Sequence, residues 1–240
     1  DQIGVDPYWS AFKLPILSKD SDNYLVYALD VERTVSAVEK MQKLFWSTDG
    51  ALSIKHTSGD GEQETIAKKF SENTAAMVTL RIIETEGEYL RGMKETYGII
   101  PLPMLDANQD DYCSYAHDQM TALGIANTTP FDRRDMLGAV LEAMASESYR
   151  TITPAYYEVA LKNKYAKDPA SWAMLDIITE KLYIDPGVLY TKKINSVHQM
   201  FRKIVGDQLA GAVTRFNAVK KPVNFALDNL NKDFRNLSDD

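Results

Sequence analysis

The sequence lacks several features on which large classes of proteins depend. Its 240 residues include a single cysteine, Cys113, which excludes an internal disulfide and a metal site built on several cysteines. It has no run of about 18 apolar residues, so it predicts no membrane-spanning helix. It carries 27 Lys and Arg against 34 Asp and Glu, a net charge of −7. That charge argues against a nucleic-acid partner, because neutralising phosphates requires a basic face.

Catalytic signatures are missing too. The sequence contains neither the nucleophile elbow G-x-S-x-G nor a glycine-rich phosphate loop. Its histidines, His56, His117 and His198, stand far apart and outside the spacings of zinc sites. Glu84, Glu86 and Glu88 could supply the two carboxylates that a glycosidase requires. However, side chains two residues apart lie on different faces of a helix. We therefore expect no catalytic residue, metal or cofactor, and a protein that is not an enzyme.

The hydrophobic pattern predicts a mixed α/β chain whose C-terminal half is rich in helix. Helices are predicted after Asp30, over 62–73 and 84–94, from Asp132 to about 146, and over most of 153–240. Extended segments are predicted over 11–17, 24–29, 75–83, 97–103 and 112–127. The pairs Thr153–Pro154 and Asp168–Pro169 each predict a helix start, with a capping side chain followed by proline.

An aromatic cluster stands close to the first residue. Tyr8, Trp9 and Phe12 lie between Pro7 and Pro15, outside any periodic core stripe. Aromatic rings on loops stack against the C–H faces of sugars, so the cluster is a candidate ligand site. A hydrophobic plug at the start of the domain accounts for the same residues equally well.

Five segments in a fixed order carry a family resemblance. They are DPYWSAF (6–12), TIAKKFSENTAAMV (65–78), YGIIPLP (97–103), LGIA (123–126) with the helix from Asp132, and the helical stretch 153–182. In this order they resemble the carbohydrate-binding solute-binding proteins of bacterial ABC importers, the group that includes maltose-binding protein. The resemblance covers nearly the whole chain.

The resemblance implies a periplasmic-binding-protein type II-like fold, in which two α/β lobes close on a ligand. It implies that this chain carries mainly the C-terminal lobe, with 1–103 as its first part and 150–240 as its helical remainder. Residues 104–149 would be a returning segment of the N-terminal lobe. Such a fragment, cut from a longer protein, would hold one wall of the ligand cleft. Unpaired strand edges near 104–130 would then favour self-association or disorder.

The implied function is extracellular capture of a mono- or oligosaccharide for an ABC permease. The full-length protein would be held by an N-terminal lipid or lie in the periplasm. Tyr8 and Trp9 are the expected stacking residues, and His198 and Phe201 are further expected ligand contacts. Arg81 stands where the family often places a sugar-stacking Trp, and its guanidinium could bind ligand hydroxyls or form an ion pair within the lobe.

Two functions of other classes stay open. A non-catalytic interaction module on the cell surface would use the same aromatic segment to dock a protein partner. A carbohydrate hydrolase would require two opposed carboxylates, and no convincing pair occurs in the sequence.

Overall fold

The fold is mixed and rich in helix. The computed structural model describes residues 4–46, 50–51, 62–116, 123–165 and 168–238. Its α-helices are α1 (Asp6–Ala11), α2 (Val31–Trp46), α3 (Glu62–Ser71), α4 (Glu88–Arg91), α5 (Phe131–Glu147), α6 (Pro169–Glu180), α7 (Pro186–Leu189), α8 (Val197–Gly206) and α9 (Ala212–Ser238). A 3-10 helix covers Ile82–Glu86, and π-helical stretches cover Ser148–Ile152 and Ala155–Tyr165. No described helix is both long enough and apolar enough to cross a membrane.

The strands within these ranges form two short pairs. Strand β1 (Leu17–Lys19) pairs antiparallel with β2 (Leu25–Tyr27), and β3 (Ser114–Tyr115) pairs in parallel with β4 (Leu182–Tyr183). The turn between β1 and β2 is closed by Asp20, whose carboxylate accepts hydrogen bonds from two backbone N–H groups of the turn, both at 2.9 Å. The parallel pair joins segments far apart in the chain, which no local pattern could predict.

The main hydrophobic core lies where α1, the β1–β2 hairpin, α2, α8 and α9 meet. Helix α2 contributes Thr34, Ala37, Val38 and Met41, which recur at helical spacing and form its buried face. The core therefore joins the first and last parts of the chain, two ranges that the resemblance assigns to one lobe. A smaller hydrophobic cluster forms around Leu161 and Leu175. The domain boundaries predicted at residues 103 and 149 remain predictions.

Helix starts predicted from a capping aspartate are confirmed at Asp30 and Asp168. An Asp30 carboxylate oxygen accepts a hydrogen bond from the backbone N–H of Arg33 at 3.0 Å, and Asp168 accepts one from Ser171 at 2.9 Å. Asp185, followed by Pro186, uses the same device at the start of α7, a start that the sequence analysis overlooked.

The helix start predicted at Thr153–Pro154 is wrong. Thr153 has helical backbone angles (φ −60°, ψ −49°), and the helix that begins at Phe131 continues through this pair. Proline removes one N–H donor from a helix, and the π-helical stretches on both sides change the local hydrogen-bond spacing. Asp132 lies in the first turn of α5, whose N-cap position is Pro130.

Buried strands predicted over 75–83 and 97–103 are also absent from the described structure. Residues 75–81 and 97–103 have no regular secondary structure there, and 82–83 begin the 3-10 helix. A strand requires neighbours for its N–H and C=O groups, and none of the described segments pairs with these residues. The N–H of Ile99 donates instead to the hydroxyl of Ser171 at 2.9 Å.

In the described parts of the stretch 112–127, which are 112–116 and 123–127, one short strand is present, β3. Residues 123–126 are exposed and irregular, although the sequence predicted a strand there. Residues 117–122 lie outside the described part of the chain. Self-association or disorder near 104–130 therefore stays a prediction.

Candidate functional site

The aromatic residues expected to bind sugar belong to the hydrophobic core of this structure. Tyr8, Trp9 and Phe201 are 8, 3 and 0% exposed. The Trp9 and Phe201 rings meet edge to face, with centroids 5.0 Å apart. Rings buried to this degree leave no open face for a sugar to stack on, because stacking requires direct contact with the ring. Their observed arrangement is the hydrophobic plug that the sequence also allowed.

The two polar residues expected at the site have partners within the chain. His198 is buried on α8, where its Nδ1 lies 2.9 Å from the Thr191 hydroxyl. Arg81 forms an ion pair with Glu84, whose Oε1 lies 2.6 Å from Nη2 and 3.2 Å from Nε. Of the two roles left open for Arg81, the ion pair is the one observed.

An open groove along α2 brings aromatic and polar side chains together. It is lined by Glu39, Gln42, Lys43, Trp46 and Gln208 and has a volume of about 540 Å³. The groove is a shallow, open depression of the surface and not an enclosed cavity. The first four residues follow the i, i+3, i+4, i+7 pattern, so they share one face of α2. We call this site the α2 groove.

The α2 groove is anchored to the end of α8. Trp46 donates its indole N–H to the Val205 carbonyl, and Gln42 donates its side-chain amide to the Ile204 carbonyl, both at 2.9 Å. Carbonyls in the last turn of a helix have no partner within it, and these two side chains add hydrogen bonds to those that the Ile204 and Val205 carbonyls accept from the backbone after α8. The bonds also hold the indole ring in one orientation, which a stacking platform requires.

Gln208 completes the groove in a strained backbone conformation. Its φ is +52°, and it follows α8 in a Schellman motif closed by Leu209 N–H donating to the Ile204 carbonyl at 3.0 Å. Glycine usually occupies this position, because a left-handed conformation costs other residues about 1–2 kcal/mol. Five other described non-glycine residues have positive φ as well, so this conformation by itself does not mark a binding site.

The sequence analysis missed the α2 groove. Trp46 follows directly after the apolar positions Leu44 and Phe45, and the sequence analysis does not consider it. A usable signal was present, since Glu39, Gln42 and Lys43 form a polar stripe on α2 that ends in an aromatic residue. The sequence around Gln208 gives no comparable signal, because its place in the groove depends on its backbone conformation.

Two buried carboxylates outside the α2 groove, those of Asp185 and Asp6, form hydrogen bonds and ion pairs that stabilise the fold. Asp185 is buried and accepts hydrogen bonds from the N–H groups of Gly187 and Ile16 at 2.6 and 3.0 Å. Burial raises the pKa of this carboxyl above its ordinary value, although the hydrogen bonds oppose the shift. Asp6 is buried against Arg202, whose Nε lies 2.9 Å from its Oδ1. Both carboxylates link α1, β1, α7 and α8 into one core.

The described residues contain no cluster of three or more His, Cys, Asp or Glu placed to hold a metal ion. His56 and His117 lie outside those residues. Cys113 is buried, and burial raises the pKa of its thiol, which suppresses the thiolate that a nucleophile requires.

Comparisons with known proteins do not assign the chain to a family. No family model matches the sequence, and no curated protein or solved structure is significantly similar. The likeness to solute-binding proteins therefore rests on the sequence segments alone.

Proposed function

We propose that this chain is a non-catalytic carbohydrate-binding protein that captures a mono- or oligosaccharide for a bacterial ABC importer. It belongs, on this proposal, mainly to the C-terminal lobe of a periplasmic-binding-protein type II-like fold. The full-length protein acts outside the cytoplasmic membrane, anchored by a lipid or held in the periplasm, and delivers its ligand to a permease. The sequence segments at 6–12, 65–78 and 97–103 support the transport class.

The α2 groove carries the proposal on the structural side. A sugar site needs an aromatic ring to stack on the C–H face and polar groups placed to meet the hydroxyls. Trp46 supplies a partly exposed indole whose N–H is already held by Val205. Gln42 and Gln208 supply amides, and Glu39 and Lys43 supply charged acceptors and donors. The binding residue in this proposal is therefore Trp46 and not Trp9.

The groove is open on its solvent side, which sets the expected affinity. One wall of a cleft buries only part of the ligand surface. The contacts it makes therefore offset only part of the free energy that is lost when the ligand is immobilised. We expect dissociation constants in the micromolar range, on the order of 10–100 µM. At a ligand concentration about 100 times the dissociation constant, the folded state gains about 2.7 kcal/mol. A protein of this size then unfolds several degrees higher.

A thermal-shift screen tests the proposal. The panel contains mono- and oligosaccharides, amino sugars, amino acids and short peptides, each at millimolar concentration. A rise in the unfolding midpoint with one sugar class supports the proposal and names the substrate class. A rise with peptides alone would replace the substrate class, and no rise across the panel would overturn the binding function.

The chain offers a matched pair of tryptophan variants to locate the site. Trp172 resembles Trp46 in donating its indole N–H to a backbone carbonyl, that of Lys162, at 2.7 Å, but it does not line the groove. We expect Trp46→Ala to abolish the sugar-dependent shift and Trp172→Ala to retain it. Equal loss in both variants, or retention in both, would remove the α2 groove from the site.

Two substitutions at Gln208 separate backbone strain from binding. Gln208→Gly removes the side-chain amide and the strain, so it should raise the free energy of unfolding by about 1 kcal/mol while weakening sugar binding. Gln208→Ala removes the amide and keeps the strained backbone, so it should weaken binding without that gain. Unchanged sugar affinity in both variants would exclude Gln208 from the site.

A further inference from the structure

Helix α5 exposes apolar side chains that a folded chain would ordinarily bury. Met136, Val140 and Met144 are 59, 50 and 57% exposed and stand one above the other at intervals of four residues. None of the residues of α5 is buried. Three large apolar side chains along one face of a helix form a contiguous patch, and such patches mark interaction surfaces.

The residues along this face repeat with the spacing of a helix–helix seam. Its positions are Arg133, Met136, Leu137, Val140, Ala143, Met144 and Glu147. Arg133, Met136, Val140, Ala143 and Glu147 are separated by alternating steps of three and four residues, which give the period of about 3.5 at which two helices pack along their whole length. Leu137 and Met144 flank this row. We call this set the α5 seam.

The α5 seam is symmetric about Val140. When a second copy of α5 is laid antiparallel across the first, with Val140 on the two-fold axis, Met136 of one copy meets Met144 of the other. Leu137 meets Ala143 in the same way. A large apolar residue therefore faces an apolar residue at each level, as an isologous interface requires.

The charges at the two ends of the seam follow the same symmetry. Arg133 and Glu147 are both exposed, and each lies seven residues from Val140 in opposite directions. In the antiparallel pair, the Arg133 of one copy therefore lies opposite the Glu147 of the other, twice over. A parallel pair would place like charges together at both ends, which is unfavourable. Antiparallel packing also places the N-terminus of each helix dipole beside the C-terminus of the other.

We propose that the α5 seam is the interface of an antiparallel homodimer of this chain. The proposal does not depend on sugar binding, because neither Trp46 nor any other residue of the α2 groove belongs to the seam. One helix pair is a small interface, so the dimer is expected to dissociate in the micromolar range. Above that concentration, a second copy covers the apolar face.

Sedimentation velocity of the 240-residue chain over about 5–200 µM gives the first test. The parent should shift from monomer to dimer across this range. Val140→Glu places two like charges together on the two-fold axis and should weaken association by about tenfold or more. Tyr149→Glu is the matched control, since Tyr149 is exposed on the same continuous helix but lies in the π-helical stretch beyond the last residue of the α5 seam. It should leave association unchanged.

A charge exchange tests the register. Arg133→Glu alone should weaken the dimer about threefold to tenfold, because it places two carboxylates opposite each other at both ends. The double variant Arg133→Glu/Glu147→Arg restores opposite charges and should return the dissociation constant to within about threefold of the parent. Association that is weakened further in the double variant would refute the antiparallel register.

A cysteine substitution gives an independent readout. Cys113 is buried, so Val140→Cys introduces an accessible thiol that meets its own copy across the two-fold axis. In a glutathione redox buffer this variant should form a covalent dimer much faster than Tyr149→Cys. A chain that is monomeric at about 200 µM would overturn the proposal, as would a dimer insensitive to Val140→Glu or equal cross-linking rates for the two cysteines.

Discussion

Replacing Trp9 with alanine tests the role of the aromatic segment at residues 6–12. The Trp9 side chain is buried and packs against Phe201 and Phe216, with ring centroids 5.0 and 6.4 Å apart. Removing it takes an entire indole out of the core and leaves a cavity that the neighbouring rings fill only in part. Losses of this kind cost about 3–5 kcal/mol. For a chain of this length that corresponds to a fall in the unfolding midpoint of about 10 °C.

Urea denaturation followed by circular dichroism measures the loss directly, and Phe225→Ala is the control. Phe225 is a large aromatic residue that is 69% exposed on α9, so its removal should change stability by less than about 0.5 kcal/mol. A loss below about 1 kcal/mol for Trp9→Ala would refute the core assignment. So would weaker sugar binding by Trp9→Ala at unchanged stability, which would return Trp9 to the ligand site.

Two further predictions concern the buried carboxylates. Arg202→Met leaves the Asp6 carboxylate buried without its guanidinium partner and should cost about 3–5 kcal/mol, whereas Asp6→Asn/Arg202→Met should recover more than half of that loss in urea titrations. Additive losses would contradict a direct coupling. Because burial raises the pKa of Asp185, the folded state retains a proton that the unfolded chain releases near pH 4. The stability contributed by Asp185 is therefore present below that pH and falls as the pH rises through the raised pKa. The free-energy difference between the parent and Asp185→Asn should decline over this range, and a difference independent of pH would contradict the shift.

Local signals in the sequence were sufficient for the starts of α2 and α6. Asp30 and Asp168 predict the starts of α2 and α6. A capping carboxylate accepts hydrogen bonds from backbone N–H groups two or three residues away and needs no distant partner. The buried stripe of α2 is likewise readable from its helical spacing, since burial of one face follows from periodicity alone. These elements are encoded within a few turns of chain.

The strands and the binding site could not be predicted in the same way, because both depend on contacts with segments distant in the sequence. The apolar run at 75–83 has the composition of a strand, but a strand forms only where another segment takes its hydrogen bonds. The burial of Trp9 was undetermined for the same reason. An aromatic segment flanked by prolines can lie in an exposed loop or in the hydrophobic core, and its neighbours in space decide between the two. Phe201, its packing partner, stands on a helix near the other end of the chain.

The sequence by itself determined the acidic character, the absence of common catalytic motifs, the capped helices and the symmetric order of residues along α5. Only the tertiary structure decided that Trp9 lies inside and that Trp46 lines a groove. Trp46 is 159 residues from Val205, the carbonyl that holds its indole, and the left-handed backbone at Gln208 is what turns the chain into that groove. Capping and periodicity act over one or two turns, whereas burial and convergence depend on which distant segments pack together, so sequence alone leaves them undetermined.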